Sequence, residues 1–484
     1  MTPTLIISCV AAYSLLLFII TGITSRKATN AGFFIGNKSS RWYVVAYGMI
    51  GASLSGVTFM SVPGRVGTTQ FSYLMLVLGY FAGYIIIALV LLPVYYRLNL
   101  TSIYGYLEQR FGFHAYKTGA FFFILSRTIG ASFRMFLVIN VLQTFVFDKM
   151  GLPFAVTVTL FIILILIYTY EGGIKTIVWT DTLQTTFMLL AMGISIVLIT
   201  KQLNLTLPDL FKNIIASDYS RILFTDWLDK RSFVKQFISG VFICITMTGL
   251  DQEMMQKNLS CRSLKEAQKN MISFGIVLII VNFLFLLLGA ILYFYAQGKG
   301  MAIPSKTDDL FPVIALNHLG EFAGIVFVIG LISAAYPSAD GALTSLTTSV
   351  CIDFLGFQKR EDEMNKKKIR HMIHLGFAIL LLCVVVFFKS LNDSAILEKL
   401  FTVAGYTYGP LLGLYAFGLF TGFKIRDGWA PFICVLSPVL CFILNRYSKQ
   451  WLGGYEFGFE LLPINGLITF TGLYLTTFGS KCVE

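Results

Sequence analysis

Along this chain, apolar runs of about twenty residues alternate with short polar stretches. Runs of that length span the hydrocarbon core of a bilayer as helices. They fall at about 3–24, 41–63, 71–96, 118–147, 153–170, 176–200, 234–251, 272–296, 321–350, 370–388, 400–422, 428–445 and 461–479. The pattern predicts an all-α polytopic membrane protein with about thirteen transmembrane helices. The longest connections, 201–233 and 297–320, have room for short helices, PDLFKNIIA among them, but not for a soluble domain.

One run departs from plain apolarity. Arg41 to Arg65 reads RWYVVAYGMIGASLSGVTFMSVPGR. Gly51 and Gly56 weaken a helix interior, and Ser53 and Ser55 compete for backbone hydrogen bonds. In lipid, broken backbone is tolerated only where protein or a water-filled cavity satisfies it. Two readings stand: a discontinuous helix whose freed carbonyls face a site, or a Gly/Ser seam for close helix packing.

Composition agrees with the pattern. Of 484 residues 56% are hydrophobic and 13% charged, and mean hydropathy is +0.76. The formal net charge is +12. The basic residues lie between the runs, so their excess reports topology rather than nucleic-acid binding. With the N-terminus outside, the inside loops carry Arg26, Lys27, Lys38, Arg41, Arg97, Arg110, Lys117 and Lys175. They also carry Lys257, Arg262, Lys265, Lys269, the basic stretch 359–370, Lys424, Arg426 and Lys481. An N-out, C-in arrangement is therefore expected. The first run lacks a basic leader and a small-residue cleavage site, so it reads as a retained helix. The eight cysteines are scattered without paired spacing and predict neither a disulfide framework nor a metal site.

Ionisable residues inside the runs are functional candidates by default. Arg134 sits mid-run in SFRMFLVINVLQ, too deep to reach the interface. It either pairs with an internal acid or receives an anionic solute, since its planar fork suits a carboxylate. Arg127, nearer one end, suits a structural ion pair. Asp181, in IKTIVWTDTLQ, reads either as an interfacial acid at a helix start or as a cation-handling carboxylate. Asp340 lies deeper, in LISAAYPSADGALTSLTTSV, among Ser333, Ser338, Thr344, Ser345, Thr347 and Thr348. Pro337 there removes a backbone donor and frees a carbonyl near position 333. Hydroxyls, carbonyls and one carboxylate suit a hard cation such as sodium; tight Ala/Ser packing with an Asp–Arg pair is the alternative. The segment 249–270, GLDQEMMQKNLSCRSLKEAQKN, reads as a solvated inside loop with a short amphipathic helix. His371 and His374 read as part of a solvated helix end. No nucleophile–base pair, metal-ligand cluster or phosphate loop stands out, so an enzyme is not expected.

Several segments together carry a resemblance. ASLSGVTFMSVPGR, LTSIYGYLEQRFG, YTYEGGIKTIVWTDTLQ, DQEMMQKNLSCRSLKEAQ, the Ala/Ser helix ending in CIDFL, and GYTYGPLLGLYAFGLF resemble successive signatures of the sodium:solute symporters. Order and spacing match from about residue 5 to 445. The resemblance implies a LeuT-like fold of two inverted five-helix repeats. Residues 1–40 would hold an extra helix, 41–201 and 202–423 the repeats, and 424–484 two extra helices. It implies sodium-coupled import of a small organic solute by alternating access across a bacterial inner membrane. A transporter-derived receptor that binds without transport is the alternative, and a membrane enzyme a weaker one.

The same resemblance implies sites. A sodium ion would sit between the backbone at Gly51 and Leu54 and that at Ala334 and Pro337, with the Ser338 hydroxyl. Relatives usually carry a second hydroxyl where this chain has Pro337. Asp181 and Asp340 would form a modified second sodium site, with a salt bridge in place of the cation as the rival. Similarity is nearest to bacterial sialic-acid-type members. It places the solute carboxylate on Arg134 and the rest of the solute on Ser53, Ser55, Thr58 and Tyr73. A glutamine that helps in those relatives is Val77 here.

Overall fold

The computed structural model describes residues 3–24, 30–360, 362–390 and 396–477. Arg26, Lys27 and Lys481 lie outside the described residues. The long helices are α1 (Pro3–Thr24), α2 (Trp42–Thr69), α3 (Tyr73–Ile86, carried on to Arg97), α4 (Phe113–Leu142) and α5 (Phe154–Gln202). They continue with α6 (Phe233–Cys244), the short α7 (Gln252–Leu259), α8 (Leu264–Gly298) and α9 (Glu321–Ser349). Last come α10 (Glu363–Phe388), α11 (Ile396–Phe420), α12 (Ala430–Trp451) and α13 (Leu461–Leu475). Among the described residues no strand forms, only an isolated bridge between Ser40 and Cys261.

Among the described residues, every expected apolar run coincides with helix to within a few residues at its ends. By length and hydropathy, however, only eight helices among the described residues qualify to cross a membrane, or nine if the bent α6–α7 pair is one span. The tally is smaller than thirteen partly because α2 and α3 follow one another through a tight turn and are taken together as Trp42–Arg97. Phe154–Tyr170 and Leu461–Leu475 fall short in length.

Two breaks follow directly from local sequence. In α2 the helix is interrupted at Ser55, whose φ of 28° and ψ of 173° leave the helical region. α5 is interrupted at Gly173, with φ 54° and ψ −154°, in the EGG sequence that reads as a turn.

The major packing pairs α5 with α9, α3 with α6, α11 with α13, and α2 with α8. α3 and α6 approach backbone to backbone through Gly79 and Gly240. A Cβ on Gly79 would lie 2.1 Å from the Phe237 carbonyl oxygen, and one on Gly240 2.1 Å from that of Leu76. Without a hydrophobic drive between helices in lipid, such small-residue contacts supply the van der Waals attraction.

Two sequence expectations are corrected. The polar segment after Gly249 is not a solvated loop. It bends by 65° from α6 into α7, and every residue from Gln252 to Leu259 is buried. Its charges are tolerated because they meet one another and their neighbours inside the bundle. His374 is likewise not at a solvated helix end. It is buried in α10 with Nε2 3.0 Å from Thr169 Oγ1 and Nδ1 3.0 Å from Thr347 Oγ1. The short helix expected at PDLFKNIIA forms as Leu207–Ala216, its N-terminus capped by Thr206, which accepts from the Asp209 N–H.

Candidate functional site

The break in α2 opens onto a cavity of about 70 Å³ inside the bundle. Its walls include Ser53, Ser55, Thr58, Tyr73 and Arg134, so all five residues expected to hold a solute meet at one place. Tyr80, Tyr84 and Asn282 join them. Val77 is buried on α3 but does not line the cavity. Arg134 has no acidic partner among the described residues, and its buried Nε makes no hydrogen bond. Arg127, two turns earlier on the same helix, differs. It forms an ion pair with Glu253 and lies 3.7 Å from Asp251 Oδ2. A largely buried guanidinium without a counter-ion is costly unless an anion completes it.

Beside the cavity, α2 packs against α9 and α5. The Gly51 N–H donates to Thr185 Oγ1 at 3.0 Å, and a Cβ on Gly51 would lie 2.4 Å from that oxygen. Glycine is thus what lets α5 close onto α2 just before the break. On α9, Ala334, Pro337 and Ser338 are buried. The Ser338 hydroxyl oxygen has no partner within the protein. Pro337 offers no N–H to the turn before it. Buried oxygens left without protein donors fit a hard cation, which needs oxygen ligands and no hydrogen. The residues present therefore suit sodium at the junction of Gly51, Leu54, Ala334, Pro337 and Ser338.

The two acids behave differently from an open pair. Asp340 Oδ2 accepts from the Tyr168 hydroxyl at 2.9 Å, and Oδ1 from the Gly341 N–H at 2.6 Å. Asp181 Oδ2 accepts from the Lys257 ammonium at 2.7 Å. Lys257 also lies 3.3 Å from Glu253 Oε1, and the Tyr408 hydroxyl donates to Asp251 Oδ2 at 2.8 Å. The open carboxylate expected at Asp181 for a second cation is therefore already covered by an ammonium. Asp251, Glu253 and Lys257 were missed as site residues because their charge density reads as a loop. A signal was present: Glu253 and Lys257 are four residues apart, on one face of a helix that an aspartate begins.

At one end of the bundle a second, larger hollow of about 610 Å³ shares Tyr73 with the cavity. Arg65, Lys230, Arg231 and Glu456 line it. Glu456 ties Lys230, at 2.9 Å, to Lys449. Hydrogen bonds from these two ammonium groups pull its carboxyl down to about 2.

A helix broken within a membrane bundle, lining a polar cavity and packed against a hydroxyl-rich helix, defines an ion-coupled secondary transporter. Comparison with known proteins narrows this. The chain belongs to the sodium:solute symporter family, whose sequence model matches residues 33–423. The sodium/sialic acid symporter SiaT of Proteus mirabilis is 21% identical over 436 residues, covering 88% of this chain and 86% of that protein. The sodium/sialic acid symporter NanT of Aliivibrio fischeri is 22% identical over 403 residues, covering 82% and 78%. The human sodium/iodide cotransporter is 25% identical over 432 residues; the match takes in 84% of this chain but 65% of that longer protein. A solved structure of a Na+-coupled sialic acid symporter in a substrate-bound outward-open state superposes with a TM-score of 0.84 at 19% identity, over 99% of both chains. The fold is LeuT-like, and the chain is a multi-pass membrane transporter coupled to sodium rather than an enzyme.

Proposed function

We propose that this symporter imports a small carboxylate-bearing solute such as sialic acid, with the carboxylate on Arg134. The observation that carries the reading is the contrast within α4. Arg127 and Arg134 both line the cavity, but Arg127 is paired with internal acids, whereas Arg134 has none among the described residues. Ser53, Ser55 and Thr58 offer hydroxyls and Tyr73 an aromatic face from the same walls. The names of the bacterial relatives support a sialic acid, and those of others a monocarboxylate or iodide, all anions.

Sodium binds at Gly51, Leu54, Ala334, Pro337 and Ser338, holding α2 against α9 and stabilising the state that receives solute. Solute then completes Arg134, and the two repeats, 41–201 and 202–423, rock about the site. Their first helices, α2 and the α6–α7 pair, are both broken, which supports a repeat relation between the halves. Each sodium moving inward contributes about 2.3 kcal/mol per 100 mV if its whole charge crosses, plus its concentration gradient. The distribution of basic residues supports an N-out, C-in chain of about thirteen spans in a bacterial inner membrane, with 1–40 and 424–484 flanking the repeats.

The test is uptake of labelled sialic acid into proteoliposomes, under an inward sodium gradient and then an equal potassium gradient. Accumulation under sodium alone is expected. No uptake under either gradient shifts the solute to another anion; equal uptake under both overturns sodium coupling.

A further inference from the structure

We propose that the Lys257 ammonium is a built-in cation, so that this transporter binds one sodium ion per chain and no second. The proposal rests on the sodium coupling argued above and concerns its stoichiometry.

Lys257 is buried, with 1% of its side chain exposed. It reaches Asp181 Oδ2 on α5 at 2.7 Å and Glu253 Oε1 on α7 at 3.3 Å. The helices around it are those that build the candidate sodium junction. A Cβ on Gly48 of α2 would lie 3.1 Å from Asp181 Cβ, one turn before Gly51. A Cβ on Gly341 of α9 would lie 2.3 Å from Glu253 Oε1, one turn after Ser338. Two carboxylates thus converge beside the candidate sodium junction, and α7, which carries one of them, also brings the ammonium that answers both.

An ammonium is a compact point charge that, once dehydrated, demands oxygen ligands as a small alkali ion does. Here those oxygens are carboxylates that would otherwise draw a cation from solution. Arg127 holds the outer side of the network through Glu253 and Asp251, and Tyr408 covers Asp251. Asp340 is met by neutral donors, Tyr168 and the Gly341 N–H. The contrast with Ser338 is direct: its hydroxyl is buried with no protein partner, as an exchangeable ion requires. A tethered cation cannot dissociate, so it carries no gradient energy. It fixes the closure of α7 on α5 whatever the sodium concentration.

The experiment is equilibrium binding of radioactive sodium to the purified full-length chain, with ions counted per protein. Wild type is expected to saturate at one ion with a Hill coefficient near one. Lys257→Met is expected to saturate at two, and Lys257→Arg at one. Two ions in wild type, or an unchanged count in a folded Lys257→Met, overturn the proposal. Where Lys257→Met does not fold, Asp181→Asn decides. It keeps one sodium at unchanged affinity if Lys257 is the resident cation, and a loss of about tenfold or more overturns it. A wild type that binds no sodium refutes the coupling reading itself, a result distinct from all of these.

Discussion

Two arginines two turns apart on α4 show how identical side chains acquire different work. Arg127 sits among Asp251 and Glu253, and removing it leaves buried Asp251 with no cation, and Glu253 with Lys257 alone, among the described residues. Breaking such a pair costs about 3–5 kcal/mol, so Arg127→Ala is expected to lower thermal stability sharply in a detergent melting assay. Arg134→Ala removes no internal partner. It is expected to fold, to bind sodium as wild type does, and to weaken an anionic solute by about 2–5 kcal/mol, the range for truncating one side of a buried charge pair. Parallel sodium and solute titrations check this; an equal loss of both would make Arg134 structural. Ser338→Ala should do the reverse. It deletes one oxygen from the proposed sodium junction and should raise the sodium concentration for half-maximal uptake by about tenfold, following roughly 1.5 kcal/mol for a contact to a charged group. Its expression should be unaffected, because the hydroxyl bonds to nothing in the protein.

At the scale of elements, the decisive features are helix breaks and close approaches. α3 and α6 touch through Gly79 and Gly240, where an added Cβ meets carbonyl oxygens of the partner helix. Because those obstacles are backbone, the helices themselves must separate to make room. Gly79→Val is therefore expected to destabilise by about 1–3 kcal/mol or more, read as a fall in melting temperature, while Gly22→Val, with open space around it, should not. Much of this was legible in the sequence. The apolar runs placed the helices, and GASLSG marked the interruption that falls at Ser55. The burial of α7 was not legible. DQEMMQKN is as polar as a loop, and only partners brought from residues 127 and 181 explain why it lies inside. Composition reports solvent preference for a segment taken alone. Burial of charge depends on what lies opposite.

For the whole molecule, the outer hollow gives a condition-dependent prediction. Glu456 joins Lys230 in the 201–233 connection to Lys449 on α12, at the hollow that shares Tyr73 with the cavity. Its folded-state carboxyl is lowered from 4.5 to about 2. A lowered value means the tie contributes fully above the ordinary glutamate range and is lost as pH falls through about 2. The tie should therefore be intact throughout the neutral range, and salt rather than pH should loosen it there, because all three groups are partly exposed. Glu456→Gln is expected to reproduce the effect of high salt, increasing labelling of a cysteine placed at Gly458. Equal labelling in wild type and variant at low salt would show that the contact does not restrict the hollow.

The sequence by itself determined the class of this protein: an all-helical membrane transporter with a broken helix, a hydroxyl-rich helix and a deep arginine. Helix placement follows from local apolarity and glycine content, and the family from the order of its motifs. The five residues that line the cavity and are proposed to hold solute were also nameable, because each belongs to a recognisable stretch. Only the tertiary structure decided which charges answer one another. Arg127 reads as a member of an ion pair without disclosing Asp251 and Glu253 as its partners, and Asp181 alone does not disclose that its counter-ion is Lys257, 76 residues away. An ion pair inside a bundle is set by which helix faces meet. Spacing along one helix fixes a residue's own face, while its partner is chosen by the packing of the others.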